Sequence, residues 1–270
     1  MDYTLPETNL LEIKTLEQVE NRGVFEIGPL SPGYGVTLGN SLRRVLISSL
    51  EGAAISSVKF DGISHQFSTI PKVEEDVVEI ILNLKMLRFQ LASAEPQVLK
   101  LQAKGPKTIS AKDFIPNPQC QIVNTDAHLA TLSKGGSLKM EITVIHGRGY
   151  EPVERRKDEK LPIGTIAVDS IFTPVRKVHF DVENTRVGGM TNFDKLTLEV
   201  TTDGSIEPEE ALGKAAKILL EHFSLVEQAC RKEKTKIKPQ TKATKKSVKK
   251  AITPPDINKL PKKPIRTKGQ

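Results

Sequence analysis

The side chains able to perform covalent or proton-transfer chemistry are scattered along this sequence. Its five histidines (His65, His128, His146, His179 and His222) form no H-E-x-x-H pair and have no thiol beside them. Two imidazoles one helical turn apart are what a zinc hydrolase needs. Cys120 and Cys230 stand alone with no C-x-x-C spacing, so neither a zinc site nor a disulfide framework is indicated, and a reducing compartment fits. No Asp-x-Asp-x-Asp run is present to hold paired magnesium ions. Gly213-Lys214 has the ending of a phosphate-binding loop, but the glycine required upstream is Pro208. Gly33, Gly35 and Gly39 are spaced G-x-G-x-x-x-G and follow no βαβ pattern, which argues against a dinucleotide site. The expectation is a chain without catalytic residues, cofactor or metal of its own. The Arg43-Arg44 pair beside Ile47 reads from spacing either as two solvated arginines on an amphipathic core helix or as a recognition element. A guanidinium offers five donors in a fixed fork that suits an interfacial carboxylate or carbonyl.

The arginines lie in the segment Gly33 to Gly52. After a glycine-loosened turn, Leu38, Leu42, Val45, Leu46 and Ser49 recur at the spacing of one helical face, with Arg43, Arg44 and Ile47 on another. Gly52 stands where a helix C-terminal glycine is expected. A second helix is expected over Val73–Leu84, with Glu74, Glu75 and Asp76 in its first turn where the helix dipole favours acid. A third runs from about Pro208 to Cys230, opened by Pro208 and capped by Ser205 or Glu207. Its stripe is Leu212, Ala215, Ala216, Leu219, Phe223 and Val226, and such a stripe must be buried against something.

Between the helices the chain reads as strands. These are Leu10–Leu16, Val24–Gly28, Ala54–Phe60, Ile63–Phe67, Val98–Ala103, Ala127–Leu132, Leu138–Ile145, Gly164–Val168, Val175–Val182 and Lys195–Thr202. Asp61-Gly62 is a turn signal, and Glu151–Lys160 is a charged loop. Hydrophobic residues make up 37% and aromatics 4% with no Trp, so Ile, Leu and Val must build the core.

The formal charge of +7 is uneven: residues 231–270 carry a net +13, leaving −6 on the first 230. The basicity therefore belongs to a Lys-rich tail of too little apolar content to order itself, and the body makes a poor DNA-binding surface. The N-terminus shows no secretory pattern, and no apolar run approaches the roughly 18 residues of a membrane-spanning helix. A soluble intracellular protein is expected.

Gly33-Tyr-Gly-Val-Thr-Leu-Gly-Asn-Ser-Leu-Arg-Arg-Val-Leu46 resembles the first-helix signature of the bacterial-type RNA polymerase alpha subunit. Collinear stretches agree with it: Asp61-Gly-Ile-Ser-His65, Glu75–Lys85, Gly147-Arg-Gly-Tyr150, Pro162–Val175, Val182–Gly188 and Pro208-Glu-Glu-Ala211. The matches span about residues 10–230. The resemblance implies an α+β fold with a discontinuous dimerisation domain, residues 1–51 plus 170–230, whose two packed helices lie on a sheet. A mostly-β domain, residues 52–169, is inserted between its halves, and 231–270 forms a disordered basic tail.

The resemblance also implies a non-catalytic subunit that homodimerises and nucleates assembly of the beta and beta prime subunits, with a small omega-type subunit in the same complex. From periodicity alone the helix stripes are either ordinary core or a dimer seam; the resemblance favours a four-helix dimer contact through Leu38, Leu42, Val45, Leu219 and Phe223. It places Arg44 and Ile47 against beta, and Glu79 and Lys85 near beta prime. Cytoplasm of a bacterium is the expected location, with the plastid stroma as alternative. The family's C-terminal DNA-binding domain has no counterpart in the apolar pattern of 231–270, so any DNA contact by this tail is expected to be to phosphates, without sequence preference. The alternative function is a free-standing dimer associated with nucleic acid through that tail.

Overall fold

The computed structural model describes residues 11–156, 162–187 and 190–236. In chain order the elements are β1 (Glu12–Val19), β2 (Arg22–Leu30), α1 (Tyr34–Ser48), β3 (Glu51–Phe60), α2 (Val77–Lys85), β4 (Phe89–Leu91), β5 (Gln97–Lys104) and β6 (Lys107–Ser110). They continue with β7 (Cys120–Ile122), β8 (His128–Leu132), β9 (Ser137–Arg148), β10 (Tyr150–Glu151), β11 (Thr165–Ala167), β12 (Ser170–Ile171), β13 (Val175–Val187), β14 (Met190–Thr202) and α3 (Pro208–Lys236). The fold is α+β, and the described residues up to Glu227 form one compact unit.

Two hydrophobic clusters organise it. One is drawn from both ends of the chain: Phe25 and Ile27 of β2, Leu42 and Leu46 of α1, Leu196, Leu198 and Val200 of β14, and Ala211, Leu212 and Ala215 of α3. Its sheet runs β1-β2-β14-β13, all antiparallel, with Phe25 opposite Leu198. Alternation along β2 sends Gly23, Phe25 and Ile27 inward, as a sheet covered on one face requires. The second cluster lies wholly between Ile55 and Val168. Its sheet runs β11-β3-β9-β5, and the inward residues Val58, Ile142 and Leu101 meet Ile80, Ile81 and Leu84 of α2.

Several elements differ from the sequence expectation for identifiable reasons. Ile63–Phe67 forms no strand, because both edges of β3 are already taken by β9 and β11. The helix expected from Val73 starts at Val77, where Asp76 caps it by accepting the Glu79 N–H at 2.7 Å. Glu75 turns away instead and accepts the Thr131 N–H at 2.6 Å. Ser205 does not cap α3: its hydroxyl is given to Asp203 at 2.5 Å. α3 runs past Cys230 to Lys236, and Ala216 is exposed rather than part of the stripe.

Gly52 does not end a helix. α1 stops at Ser48, closed by the Ser49 N–H on the Val45 carbonyl at 2.9 Å, and Gly52 lies within β3. A Cβ there would stand 1.8 Å from the Phe172 carbonyl oxygen, so the residue is glycine to let two backbones touch. The tail expected to be disordered lies outside the described residues from 237 onward, as do 157–161 of the charged loop.

Candidate assembly surfaces

The signature helix is seated by glycines and by a carboxylate from a distant strand. A Cβ on Gly35 would meet Val182 Cγ1 at 2.7 Å, and one on Gly39 would meet the Phe180 ring at the same distance. Those two positions lie one helical turn apart, so α1 rests its backbone directly on β13. Gly33, with φ of 85°, turns the chain into the helix. Asp194 of β14, itself buried, accepts the backbone N–H groups of Gly33 at 2.8 Å and Gly35 at 3.0 Å. The N-terminal amides of a helix are otherwise unpaired, and its dipole favours an anion there.

With Gly35, Gly39, Leu42 and Leu46 facing the sheet, the opposite face of α1 is turned out. Val36, Asn40, Arg43, Arg44 and Ile47 are all exposed. Among the described residues neither the Arg43 nor the Arg44 guanidinium has a carboxylate partner. Ser48 Oγ donates to the Arg44 carbonyl at 2.7 Å, and Thr173 Oγ1 donates to the Ile47 carbonyl at 3.2 Å. The backbone under these two residues is thus tied down while their side chains remain free.

α3 changes character along its length. Ala211, Leu212 and Ala215 are buried, Ile218 and Leu219 are half-buried, and from Leu220 onward the apolar side chains stand in solvent. Phe223 is 64% exposed and Val226 61%. On α1, Leu38 and Val45 are half-buried at the flank, so they border the same cluster and remain partly open. Leu42 differs from its expectation: at 3% exposure it lies inside its own chain's core and supports the face without lining it.

On α2, Glu79 is exposed and only its backbone N–H is engaged, by Asp76. Lys85 lies six residues on, about 120° around the helix axis, and its ammonium pairs with Asp169 at 3.4 Å. Asp169 also accepts the Val153 N–H at 3.0 Å. That backbone hydrogen bond, with Lys85 and Arg156 nearby, holds its carboxyl below the usual carboxylate range against the opposing effect of burial. Beside this pair a depression of about 360 Å³ is lined by Val78, Leu82, Lys85, Val153 and Glu154.

Three further anchoring groups gave no sequence signal. Asp194 has no helical or turn pattern around it. Arg156, in the charged loop, reaches back to the Val168 and Ser56 carbonyls. Arg88 donates to the Lys85 and Leu87 carbonyls at 3.2 and 3.0 Å and faces Asp203 at 3.4 Å. Each partner lies far off in sequence or on the backbone, where residue spacing carries no record of it. Among the described residues no group of His, Cys, Asp and Glu converges as a metal site, and no helix is long and apolar enough to cross a membrane.

Residues 58–173, nearly the whole second cluster, match the family model of the RNA polymerase Rpb3/RpoA insert domain. The chain is 55% identical over 214 residues to the DNA-directed RNA polymerase subunit alpha of Carboxydothermus hydrogenoformans, covering 79% of this chain and 68% of that one. It is 54% identical over 215 residues to the subunit of the same name from Symbiobacterium thermophilum, covering 80% and 68%. Against that of Moorella thermoacetica it is 54% identical over 203 residues, covering 75% and 65%. The likeness therefore takes in about four-fifths of the chain, and the chain belongs to the family of the bacterial DNA-directed RNA polymerase alpha subunit.

Proposed function

We propose that this chain is the non-catalytic alpha subunit of a multisubunit DNA-directed RNA polymerase. It homodimerises and nucleates assembly of the beta and beta prime subunits, in a complex that also holds a small omega-type subunit and acts on DNA in the bacterial cytoplasm. The observation that carries the reading is the apolar second half of α3. Leu220, Phe223 and Val226 together stand uncovered on a helix whose first half is firmly packed. A stripe of that kind is stable in water when it meets its own copy across a two-fold axis.

In this reading residues 1–51 and 170–230 form the dimerisation domain, and 52–169 is an insert on it. Leu219 and Phe223 of α3, flanked by Leu38 and Val45 of α1, make the seam, with Leu42 behind it. The outward face of α1 then offers Arg44 and Ile47 to beta: an apolar anchor beside a planar donor fork, the pairing that commonly dominates interface energies. Glu79, Lys85 and the depression beside α2 face beta prime. Two identical chains, each able to present either surface, can thereby gather two different large subunits. The tail, with its net +13 over 231–270, adds a salt-sensitive attraction for DNA phosphates without base readout.

The test is Arg44→Ala in the full chain, mixed with the two large subunits. The variant remains a dimer and loses association with beta. A variant that still captures beta at the wild-type level refutes the assignment of that face.

A further inference from the structure

The covalent links between the two hydrophobic clusters are the passage from α1 into β3 and the return through residues 168–175. Across the same boundary runs a non-covalent joint that no motif announces. Arg88, just after α2, is only 14% exposed, and Asp203, between β14 and α3, only 7%. Arg88 Nε faces Asp203 Oδ2 at 3.4 Å, outside hydrogen-bond geometry, and is buried with no other acceptor.

Both partners are firmly held by their own sides. Arg88 Nη1 closes the end of α2 through the Lys85 and Leu87 carbonyls, and its backbone N–H is given to Asn124 Oδ1 at 2.8 Å. Asp203 accepts the Ser205 N–H at 3.0 Å and the Ser205 hydroxyl at 2.5 Å, and its own N–H is given to the Pro174 carbonyl at 2.9 Å. A second strut lies alongside, where Gln90 Nε2 donates to the Ser205 carbonyl at 2.9 Å.

An arginine buried in this way is a poor stability device. Its desolvation is costly, burial and the neighbouring Arg176 both disfavour its charge, and one donor goes unused. Replacing such a pair by apolar groups is often neutral for folding. What the pair does supply is direction, because a carboxylate and a guanidinium that are each fixed on their own side admit few relative angles. We propose that Arg88, through Asp203, is a positioning residue that sets the orientation of α2 relative to α3. Resting on the reading of α2 as a large-subunit surface and α3 as the dimer helix, this makes it the residue that holds the beta prime face at a set angle to the dimer axis.

The test uses the full chain with Cys230→Ser and spin labels at Leu82→Cys on α2 and Lys217→Cys on α3, labelled chains being diluted with unlabelled ones. Pulsed electron resonance gives one narrow intrachain distance for the parent. In the double variant Arg88→Met/Asp203→Asn, which leaves neither charge buried alone, that distance broadens, while dimer mass and the midpoint of thermal unfolding stay at parent values, and capture of beta prime falls with beta capture retained. A distance as narrow as the parent's in the folded double variant overturns the proposal, as does broadening that comes only with loss of thermal stability. The distance needs no large subunit, so it decides the joint by itself; the functional reading fails separately if the parent chain captures neither large subunit.

Discussion

The carboxylate of Asp194 accepts the Gly35 N–H at 3.0 Å across a separation of 159 residues. One bond therefore ties the start of the signature helix to a strand near the other end of the chain. Around it the glycine spacing acquires a physical meaning. Gly35 leaves room for Asp194 and Val182, Gly39 leaves room for Phe180, and the arginines one and two turns later are left facing out.

Removing that carboxylate leaves two helix N-terminal amides without an acceptor. Asp194→Ala is expected to cost about 2–3 kcal/mol, as for a buried hydrogen bond to a charged group, and Asp194→Asn, which keeps an acceptor, costs less. Urea unfolding of the two variants checks the order.

Gly39→Ala sets two effects against each other. Alanine is the better helix former by about 1 kcal/mol, but its Cβ would lie 2.7 Å from the Phe180 ring. Overpacking of this kind costs about 1–3 kcal/mol, so the variant is expected to be less stable in the same measurement. Gly213→Ala, on an exposed part of α3 with open space around it, is the contrasting case and gains stability.

Truncating the uncovered half of α3 should weaken self-association and leave the fold alone. Phe223→Ala removes a central aromatic from the proposed seam, a change worth about 2 kcal/mol, or roughly thirtyfold in dimer dissociation constant. Sedimentation equilibrium measures it. Unfolding of the isolated monomer is unchanged, because Phe223 makes no part of the chain's own core.

The Asp169 site titrates in a defined direction. Its carboxyl is held low chiefly by the Val153 N–H, with Lys85 adding to it. The stability it contributes is therefore fully present above the unfolded value of about 4 and is lost as pH falls through the lower, folded one. Asp169→Ala is expected to cost about 1 kcal/mol at pH 7 and progressively less as pH falls below the unfolded value of about 4, as read from unfolding midpoints across that range.

Cys120 lies in the core of the insert, where burial pushes its thiol up to about 11. It is expected to react with a thiol reagent only when the chain unfolds, whereas Cys230 is exposed on α3. Thiol titration in Cys230→Ser, native and denatured, checks this: no reaction and then one equivalent.

Local order was legible wherever side-chain period or a helix-terminal residue recorded it. The stripes of α1 and α3, the alternation of β5, β9 and β14, and the proline that opens α3 all follow from local rules. The misreadings arose where a distant partner took the residue. Glu75 looks like first-turn acid but is drawn to Thr131, Gly52 looks like a helix stop but lies against Phe172, and Ile63–Phe67 has strand composition but follows a strand, β3, that is already paired on both sides. Of the candidate surfaces, Arg43, Arg44 and Ile47 were legible as the face left over once the apolar stripe was assigned. Leu42 was not separable from Leu38 and Val45, since sequence does not tell the centre of a stripe from its flank. Arg88 with Asp203 was invisible because neither residue repeats or pairs nearby.

In the proposed function two copies of this chain gather two different large subunits. Native mass measurement of the complex purified through this chain from its own cells tests it most directly. Two copies of the chain with one each of two large polymerase subunits are expected, and a homodimer when the chain is purified alone. A single copy per complex, or a dimer that brings nucleic acid and no large subunit, would contradict it.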